Sequence, residues 1–392
     1  EMKISILTKS INVLGGVEAV VDKHCEWILK SNNEINILSL ENYSYSHLKK
    51  IDYKFIKRCN LIQTKSLFDK SFGLIFIFHA HKLFLNSERT IIHLPFILGL
   101  LSLAYYFLLS KITTKQLSNI YIYNHTIPSN NYFLRFIYIR LLRLICFLLP
   151  QIKIIISENS IENKYVFRKL KNQIEIIRIP YNNILSDENK NEKNQEIELN
   201  IKKIKKYLSQ YNKTGVFIGR IAYCKGITNL LKSIKFIDQN IGIIISGSGD
   251  FKSIYKNLTA QELDLIKKRV LIINDYIPAV LKRYLLNNSD FFLFPSISKT
   301  EAYGIAQIEA LNYGLPIINA KLDTAVNEIV KDMIHGCTCK ETNNPIALAK
   351  SIKKMVNLIN NNYFDKNQLK NYVSKSFSEK IIEKNFNDTL LN

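Results

Sequence analysis

Residues 290–316, with the sequence DFFLFPSISKTEAYGIAQIEALNYGLP, decide the fold of this 392-residue chain. The apolar run at the start of the stretch is short and aromatic, which predicts a parallel strand buried on both faces. Glu301 and Glu309 follow in a loop that passes through Gly304 into a helix. Open α/β sheets bind ligands at the carboxyl ends of their strands, and the free amides of a helix N-terminus attract phosphate. The stretch therefore predicts an α/β fold in which carboxylates hold sugar hydroxyls and amides hold a diphosphate.

The composition allows two domains and implies a polyanionic neighbour. The chain is 47% hydrophobic and 22% charged, and it is long enough for two domains with separate cores. Its net charge is +21, and residues 1–180 are the more basic part, with 24 basic and 12 acidic side chains. Nucleic acid, an anionic membrane and a phosphorylated substrate all fit this charge, which by itself does not choose among them.

The cysteines and the first residues indicate a reduced, cytosolic compartment. The six cysteines show no C-x-x-C spacing, so neither a zinc site nor a disulfide framework is predicted. The chain passes directly into a strand pattern at Lys3 without the features of a secretory signal. The uncharged stretch from Ile91 to Ser110 is near the length of about 20 residues that spans a bilayer. Pro95 interrupts it, which predicts instead a strand or loop followed by a buried helix of about 14 residues.

Short apolar runs alternate with helical patterns, which predicts two doubly wound parallel sheets in tandem. The strands are predicted at 3–7, 35–40, 74–78, 120–123 and 153–156, and then at 214–218, 241–246, 270–273, 290–294 and 316–319. The stretch 186–200 has little apolar content and is predicted to be an exposed junction. We therefore place one domain at 1–180 and another at 181–375, with the cleft between them as the default site.

Two cations follow the first strand of the second domain, in Gly219-Arg220-Ile-Ala-Tyr-Cys-Lys225-Gly226. A departing nucleoside diphosphate gathers negative charge, so a fixed Arg and Lys stabilise it electrostatically without a metal. A solvated Arg and Lys at a strand end is the alternative, and the glutamate motif favours the catalytic interpretation. The chain has no Asp-x-Asp pair, which is the usual carboxylate motif for a sugar-nucleotide metal ion. Metal-free chemistry without a cofactor is therefore predicted.

Two glycine turns and two histidines are weaker signals. Ser246-Gly-Ser-Gly-Asp250 either lets the backbone approach a ligand or makes a tight turn. Gly15-Gly16 before the first helix is either an opening for a ligand or a plain left-handed turn. His125 follows a strand at its carboxyl end, where a hydrogen bond to sugar or phosphate is expected, although a lone histidine is more often structural. His93 is interpreted as structural.

A basic and aromatic helix is predicted from Tyr132 to Leu149. At helical spacing its three arginines, Arg135, Arg140 and Arg143, fall within about 140° of arc. Such a helix suits an anionic membrane surface, while single-stranded nucleic acid and a buried helix with an arginine edge are the alternatives.

In their order along the chain, these motifs resemble those of the retaining, GT-B-fold glycosyltransferases of family four, many of which build bacterial surface polysaccharides. The resemblance covers nearly the whole chain and is most specific in the paired glutamates with the Arg and Lys. The matching positions are Gly15-Gly16-Val17-Glu18, His125, Ser157, Ile179-Pro180, Gly219-Arg220, Lys225-Gly226, Gly247-Ser-Gly249, Pro295-Ser296, Glu301 and Glu309. The resemblance implies two Rossmann-like domains facing a central cleft, with a carboxyl-terminal helix at 376–392 packing back on the first.

The resemblance also implies roles for single residues. The donor diphosphate would be held by Arg220, Lys225 and the amides of Tyr303, Gly304 and Ile305, and Gly16 would leave room for phosphate or acceptor. Glu309 would bind the ribose, and the base would lie beside Gly247, Asn274, Tyr276 and Ile277. Glu301 and His125 would be the catalytic residues that contact the transferred sugar. Retention by front-face attack, in which the leaving phosphate helps to deprotonate the acceptor, would need no dedicated base.

The chain departs from the family pattern at three places where glycine is frequent. Asn274 and Asn182 are mild changes because Asn tolerates a left-handed backbone. Asp323-Thr324 is expected to reshape the sugar side of the site, which weakens any inference about the sugar.

The resulting prediction is an enzyme, a metal-independent glycosyltransferase that moves a hexose-type sugar from a nucleotide sugar, with UDP-sugars favoured and GDP-mannose second. Its partners would be a glycan or polyprenyl-linked acceptor of the cell envelope and an anionic membrane surface, but not nucleic acid. It would work in the cytoplasm at the inner face of the membrane. The alternatives are a sugar-nucleotide epimerase or phosphorylase with a similar cleft, and a non-catalytic membrane- or nucleic-acid-binding module, which would explain the charge but not the paired glutamates.

Overall fold

The computed structural model divides into two compact units. The first consists of Glu1–Pro180 with Glu379–Asn392, and the second of Tyr181–Ser378. The residues that the structure describes are 1–8, 11, 16–41, 54–65, 74–93, 97–113, 118–124, 132–158, 160, 167–168, 170, 173–179, 195–275, 277–299, 301 and 303–391.

A parallel sheet organises the first unit. Its described strands are β1 (Lys3–Thr8), β2 (Glu34–Glu41), β3 (Asn60–Lys65), β4 (Arg89–Ile92), β5 (Asn119–Asn124), β6 (Lys153–Ile156) and β7 (Ile174–Ile176). They lie in the order β3-β2-β1-β4-β5-β6-β7. The central strands are rich in isoleucine and leucine and are buried along nearly their whole length, as expected for a sheet covered on both faces.

Helices cover both faces of this sheet. The first four are α1 (Gly16–Lys30), α2 (Leu74–Asn86), α3 (Ile97–Ile112) and α4 (Tyr132–Leu148). Helices α2, α3 and α4 form one layer, in which α3 contacts both of its neighbours and all three share a hydrophobic core with the sheet. Strand β4 and helix α3 agree with the strand or loop and the helix predicted on either side of Pro95, but α3 is buried on one side only, with Leu108 and Ile112 exposed. Among the helices in the described part of the chain, none is long and apolar enough to cross a membrane.

The strand predicted at 74–78 is wrong, because these residues begin helix α2. The apolar run continues to Asn86, and Phe76, Ala80, Leu83 and Phe84 turn toward the core at helical spacing. A short apolar run does not distinguish a strand from a buried helix, and here the longer period decides.

The second unit repeats the architecture around a parallel sheet ordered β10-β9-β8-β11-β12-β13 in its described residues. The strands are β8 (Lys213–Ile218), β9 (Ile241–Ser246), β10 (Val270–Ile273), β11 (Phe291–Phe294), β12 (Ile317–Ala320) and β13 (Gly336–Cys339). The helices are α5 (Gln195–Leu208), α6 (Ile227–Ser233), α7 (Phe251–Tyr255), α8 (Ala260–Arg269), α9 (Ala279–Asn288), α10 (Ile305–Asn312), α11 (Ala325–Ile329), α12 (Pro345–Asn360) and α13 (Lys366–Phe377). Helix α5 begins inside the predicted exposed junction, where residues 195–200 are helical and, apart from the buried Ile197, exposed or half-buried.

One further helix, α14 (Glu379–Leu390), belongs to the first unit. Phe386 is fully buried, and its ring centroid lies 4.4 Å from that of His24 and 5.2 Å from that of Trp27 on α1. Lys23 pairs with Glu379 at 3.0 Å at the edge of this contact. The helix predicted at 376–392 thus begins at Glu379, and residues 376–377 instead end the preceding helix α13.

Candidate functional site

The predicted site residues of the second unit lie near the point where the order of strands in its sheet reverses. Strand β8 lies between β9 and β11, so the chain moves to one side after β8 and returns to the other with β11. The turn that carries Lys225 follows β8, and the loop that carries Glu301 follows β11. Such a switch point leaves a crevice at the carboxyl ends of neighbouring strands, where open α/β sheets bind ligands.

Gly226 allows these two connections to pack closely against each other. Gly226 has a left-handed backbone with φ 72°, and a Cβ atom there would lie 1.9 Å from the carbonyl oxygen of Pro295. The amide of Ile297 also donates to the carbonyl of Cys224 at 2.9 Å. The 3₁₀ turn Tyr223–Lys225 is therefore held against the loop after β11, and only glycine allows so close an approach.

Lys225 and Glu301 form an ion pair at this junction. Both side chains are about four-fifths buried, and the Lys225 ammonium lies 5.7 Å from the ring centroid of Phe294. The Glu301 amide donates to the carbonyl of Ser298 at 3.0 Å, which fixes the backbone beneath the carboxylate. The predicted phosphate ligand Lys225 and the predicted sugar ligand Glu301 thus lie side by side, each neutralising the other.

Gly304 begins the helix that carries the second glutamate. Its φ of 80° places it in the left-handed region, and a Cβ atom there would lie 2.8 Å from Gln307 Nε2 and 3.0 Å from Phe294 Cζ. Helix α10 then starts at Ile305, and the amides of its first turn provide positive potential for an anion. Tyr303, whose amide was predicted to bind phosphate, has its side chain buried.

A network of buried hydrogen bonds fixes the position of α10. Gln307 donates to the carbonyl of Val326 and accepts from Asn319, both at 3.3 Å, and Thr338 donates to Asn319 at 2.9 Å. Gln307 and Asn319 are fully buried. Because buried amides are costly to leave unpaired, this network specifies the position of the helix.

Glu309, the predicted ribose ligand, pairs with Lys282 of helix α9. The Lys282 ammonium lies 2.5 Å from Glu309 Oε2, and the Glu309 side chain is only 7% exposed. A buried carboxylate needs such a partner, since an unpaired charge in this environment is strongly unfavourable. Lys282 therefore compensates the charge of the carboxylate and restricts its rotamers.

The residues that replace glycine at 323–324 support the Glu301 loop. Asp323 adopts the left-handed conformation with φ 59°, and the amides of Leu322 and Asp323 donate to Asn327 Oδ1 at 2.8 and 2.9 Å. The Thr324 hydroxyl donates to the Glu301 carbonyl at 3.0 Å. Asp323 thus keeps a backbone conformation that glycine adopts readily, while Thr324 adds a bond that glycine lacks.

The remaining predicted residues lie around this centre or outside the described part of the chain. Arg220 is exposed beside β8, and Gly247 approaches Gly219 so closely that a Cβ atom would lie 1.8 Å from its carbonyl oxygen. Asn274 and Ile277 follow β10. In the first unit Gly16 is the first residue of α1. The predictions for His125, Tyr276, Gly15, Pro180 and Asn182 fall outside the described residues.

His93 lies in the core of the first unit. It is 1% exposed, its Nε2 lies 3.3 Å from Nδ1 of His24, and its ring stacks on that of Tyr123. These contacts agree with a structural role.

Sequence reasoning missed Lys282, and it named Thr324 only as a change on the sugar side of the site, without its bond to the Glu301 carbonyl. Lys282 belongs to no motif with fixed spacing and lies 27 residues before its partner, on a different helix. A search for a counter-ion would have been the available signal, because a glutamate on an otherwise apolar helix needs one.

Comparison with known proteins identifies the second unit. Residues 199–371 match the family model Glycosyl transferases group 1, so this unit carries a domain of that group. An uncharacterized glycosyltransferase of Haemophilus influenzae is 30% identical over 181 residues, which cover 44% of this chain and 47% of that protein. The chain therefore matches about half the length of this relative.

Solved structures agree with the fold over the whole chain. HepE of Anabaena in complex with UDP has a TM-score of 0.71 at 16% identity, with 99% of each chain covered. The lipopolysaccharide outer core galactosyltransferase WaaB, in its apo form, has a TM-score of 0.67 at 14% identity, covering 99% of this chain and 98% of its own. Together with the two parallel sheets, these likenesses establish the GT-B fold.

Proposed function

We propose that the protein is a metal-independent, retaining glycosyltransferase that transfers a hexose-type sugar from a nucleotide sugar to a hydroxyl of a lipid-linked envelope glycan. The observation that carries the proposal is the pairing of Lys225 with Glu301 beside the start of α10. The group 1 domain and the UDP complex of the GT-B protein HepE support a nucleotide-sugar donor, with UDP-sugars first and GDP-mannose second.

The arrangement suits a reaction in which charge moves onto a diphosphate. The bond between the sugar anomeric carbon and the β-phosphate oxygen breaks, and the acceptor oxygen bonds to the same carbon. The acceptor proton passes to the leaving diphosphate. Lys225, Arg220 and the amides that open α10 would stabilise the negative charge on that diphosphate.

The two carboxylates would position the donor. Glu309, held by Lys282, would accept hydrogen bonds from the ribose hydroxyls, and Glu301 would accept them from the transferred sugar. Donor binding would separate Lys225 from Glu301, because the ammonium turns to phosphate and the carboxylate to a sugar hydroxyl. His125 is assigned to the transferred sugar by resemblance alone.

A lipid-linked acceptor would place the enzyme in the cytoplasm, at the inner face of the cytoplasmic membrane. The likeness to WaaB, a lipopolysaccharide galactosyltransferase, supports an acceptor in the lipopolysaccharide, O-antigen or capsule class. The excess of basic over acidic side chains in residues 1–180 suits the same location.

The proposal is tested by calorimetry and thermal shift with UDP, GDP, ADP and their sugar conjugates, in the presence of a chelator. Selective binding to one base is expected and would define the donor. Absence of binding to all of them would overturn the proposal. With the donor known, transfer to lipid-linked acceptors in the chelator, together with analysis of the product anomer, tests the metal-free retaining reaction. Products formed without an acceptor, or only with free phosphate, would indicate an epimerase or a phosphorylase.

A further inference from the structure

Helix α4 of the first unit is apolar on its outer side as well as on its inner side. Ile139, Leu142 and Cys146 are buried in the core, as is Leu149 directly after the helix. The outward side carries six large apolar residues that are between 37% and 77% exposed: Phe136, Ile137, Leu141, Leu144, Phe147 and Leu148. At about 100° per residue these six lie within roughly 140° of arc, so they form one continuous stripe. A continuous exposed apolar patch of this kind on a protein surface marks an interaction site.

The layer that contains this stripe has charges of one sign only. Helices α2, α3 and α4 contain no Asp or Glu, and their charged residues are Lys82, Lys111, Arg135, Arg140 and Arg143. Arg140 is exposed within the stripe, and its guanidinium carbon lies 4.4 Å from the ring centroid of Phe136. The neighbouring helices add exposed apolar side chains at Phe78, Leu108 and Ile112. The outer side of the layer is therefore apolar and cationic.

We infer that the outer face of α4 docks on an anionic lipid bilayer. The apolar side chains would enter the boundary between headgroups and acyl chains, while Arg140 and Arg143 would remain at the lipid phosphates. The inference takes up the membrane location of the proposed function and names the surface that provides it.

Two other occupants fit this face less well. A second copy of the chain related by twofold symmetry would bring arginines against arginines, and the three helices supply no carboxylate to pair with them. Nucleic acid binds through cations and aromatic stacking, whereas the stripe consists mainly of leucine and isoleucine. Only a bilayer with anionic headgroups complements both the apolar area and the positive charge.

Vesicle flotation of the full chain, without any donor or acceptor, tests the inference. Vesicles of phosphatidylcholine alone are compared with vesicles that also contain phosphatidylglycerol. The wild type is expected to float with the anionic vesicles and to do so less at high salt. The double variant Leu144→Ser, Phe147→Ser and the single variant Arg140→Glu are each expected to lower the floating fraction by at least fivefold.

Matched changes on the second unit serve as controls. Ile334 is an exposed isoleucine and Lys340 an exposed lysine, so Ile334→Ser and Lys340→Glu should leave flotation unchanged. Equal flotation of the α4 variants and the wild type would overturn the inference, as would failure of the wild type to bind anionic vesicles. Loss of self-association in the variants without any change in flotation would assign the face to a second copy of the chain.

A second readout reports insertion directly. Phe147→Trp places a tryptophan on the stripe, whereas the native Trp27 is fully buried. Its emission is expected to shift to shorter wavelength on anionic vesicles, and no shift would contradict insertion. The α4 variants should retain nucleotide binding in calorimetry. Failure of docking and failure of the transferase proposal are therefore separate outcomes.

Discussion

The Lys282 ammonium lies 2.5 Å from a carboxylate oxygen of Glu309, and this contact joins helix α9 to helix α10. Helix α9 follows the segment after β10 that is predicted to hold the base, and α10 carries the carboxylate predicted to hold the ribose. The pair therefore connects the two parts of the predicted nucleoside site through one ionic contact. A change at Lys282 should affect binding of the ribose more than binding of the phosphates.

We expect Lys282→Gln to lower the free energy of unfolding by about 1–3 kcal/mol, because the buried carboxylate loses a charged partner. It should also weaken nucleotide binding by about tenfold, or 1.4 kcal/mol, whereas Lys282→Arg should retain most of the affinity. Calorimetry with UDP and 2′-deoxy-UDP checks the role. A larger loss for UDP indicates that Lys282 positions the ribose ligand, and an equal loss for both nucleotides indicates a structural role only. Lys268→Gln, which breaks the exposed pair with Asp264, is the matched control and should change neither quantity.

Glu301→Ala should reduce transfer by about 100-fold or more, because it removes a contact to the reacting sugar. Binding of the free nucleoside diphosphate should stay the same or become tighter, since Lys225 is released from its carboxylate partner. Single-turnover transfer and calorimetry on the same preparation separate the two effects. Parallel loss of transfer and diphosphate binding would show that Glu301 supports the fold of the loop rather than the sugar. Asp264→Ala removes an exposed carboxylate from a lysine pair and should alter neither.

Gly304→Ala and Gly314→Ala form a matched pair of backbone tests. Both glycines have a left-handed backbone, with φ 80° and 77°, so each alanine should cost about 1–2 kcal/mol of stability. Only Gly304 lies where the amides open toward the predicted phosphates, so only its substitution should also weaken nucleotide binding. Denaturant unfolding and calorimetry measure the two quantities. Equal binding by the two variants would remove the α10 amides from the donor site.

The second unit should become less stable in mild acid because of His335. Burial lowers the pKa of this imidazole to about 4, and its Nδ1 accepts from the Lys331 amide at 3.3 Å. The unfolded chain binds a proton near the ordinary histidine pKa of about 6.5. The folded chain resists that proton, so stability should fall as the pH drops from about 6.5 to about 4 and then level off. The loss from this one group is at most roughly 3 kcal/mol.

Urea unfolding of wild type and His335→Gln across this pH range measures the effect. The variant should have a flatter stability profile between pH 6.5 and 4, because it lacks the titrating group. If the stability of the two proteins changed with pH in the same way, His335 would not be the cause of the loss of stability in acid.

The sequence predicted most of the central strands and missed three of the four edge strands. Strands such as β9 and β11 are buried on both faces and therefore consist of uninterrupted apolar residues. The strands that were missed at the sheet edges are β3, β7 and β13. An edge strand has solvent on one side and tolerates polar residues such as Asn60 and Gln63, so it lacks the pattern of a buried strand. The error at 74–78 has the opposite origin, since a helix buried against a large core becomes apolar enough to resemble a strand.

In the candidate site, the features that could be predicted depend on residues close in sequence, and those that could not depend on residues far apart in sequence. The Gly226 turn, the Gly304 cap and the two glutamates are recognisable because each depends on residues close in sequence. The partners that hold the glutamates, Lys282 and Thr324, come from other connections of the sheet. Their positions follow from the order of strands and helices, which periodicity alone does not provide.

The return of helix α14 to the first unit also determines the order in which the chain can complete its folding. The second unit consists of a continuous segment, so all its residues are synthesised before α14 is made. The surface of α1 around Trp27 and His24 stays uncovered until Phe386 arrives. The unit that is synthesised first is therefore the last to be completed, and during translation it must persist with an exposed apolar groove.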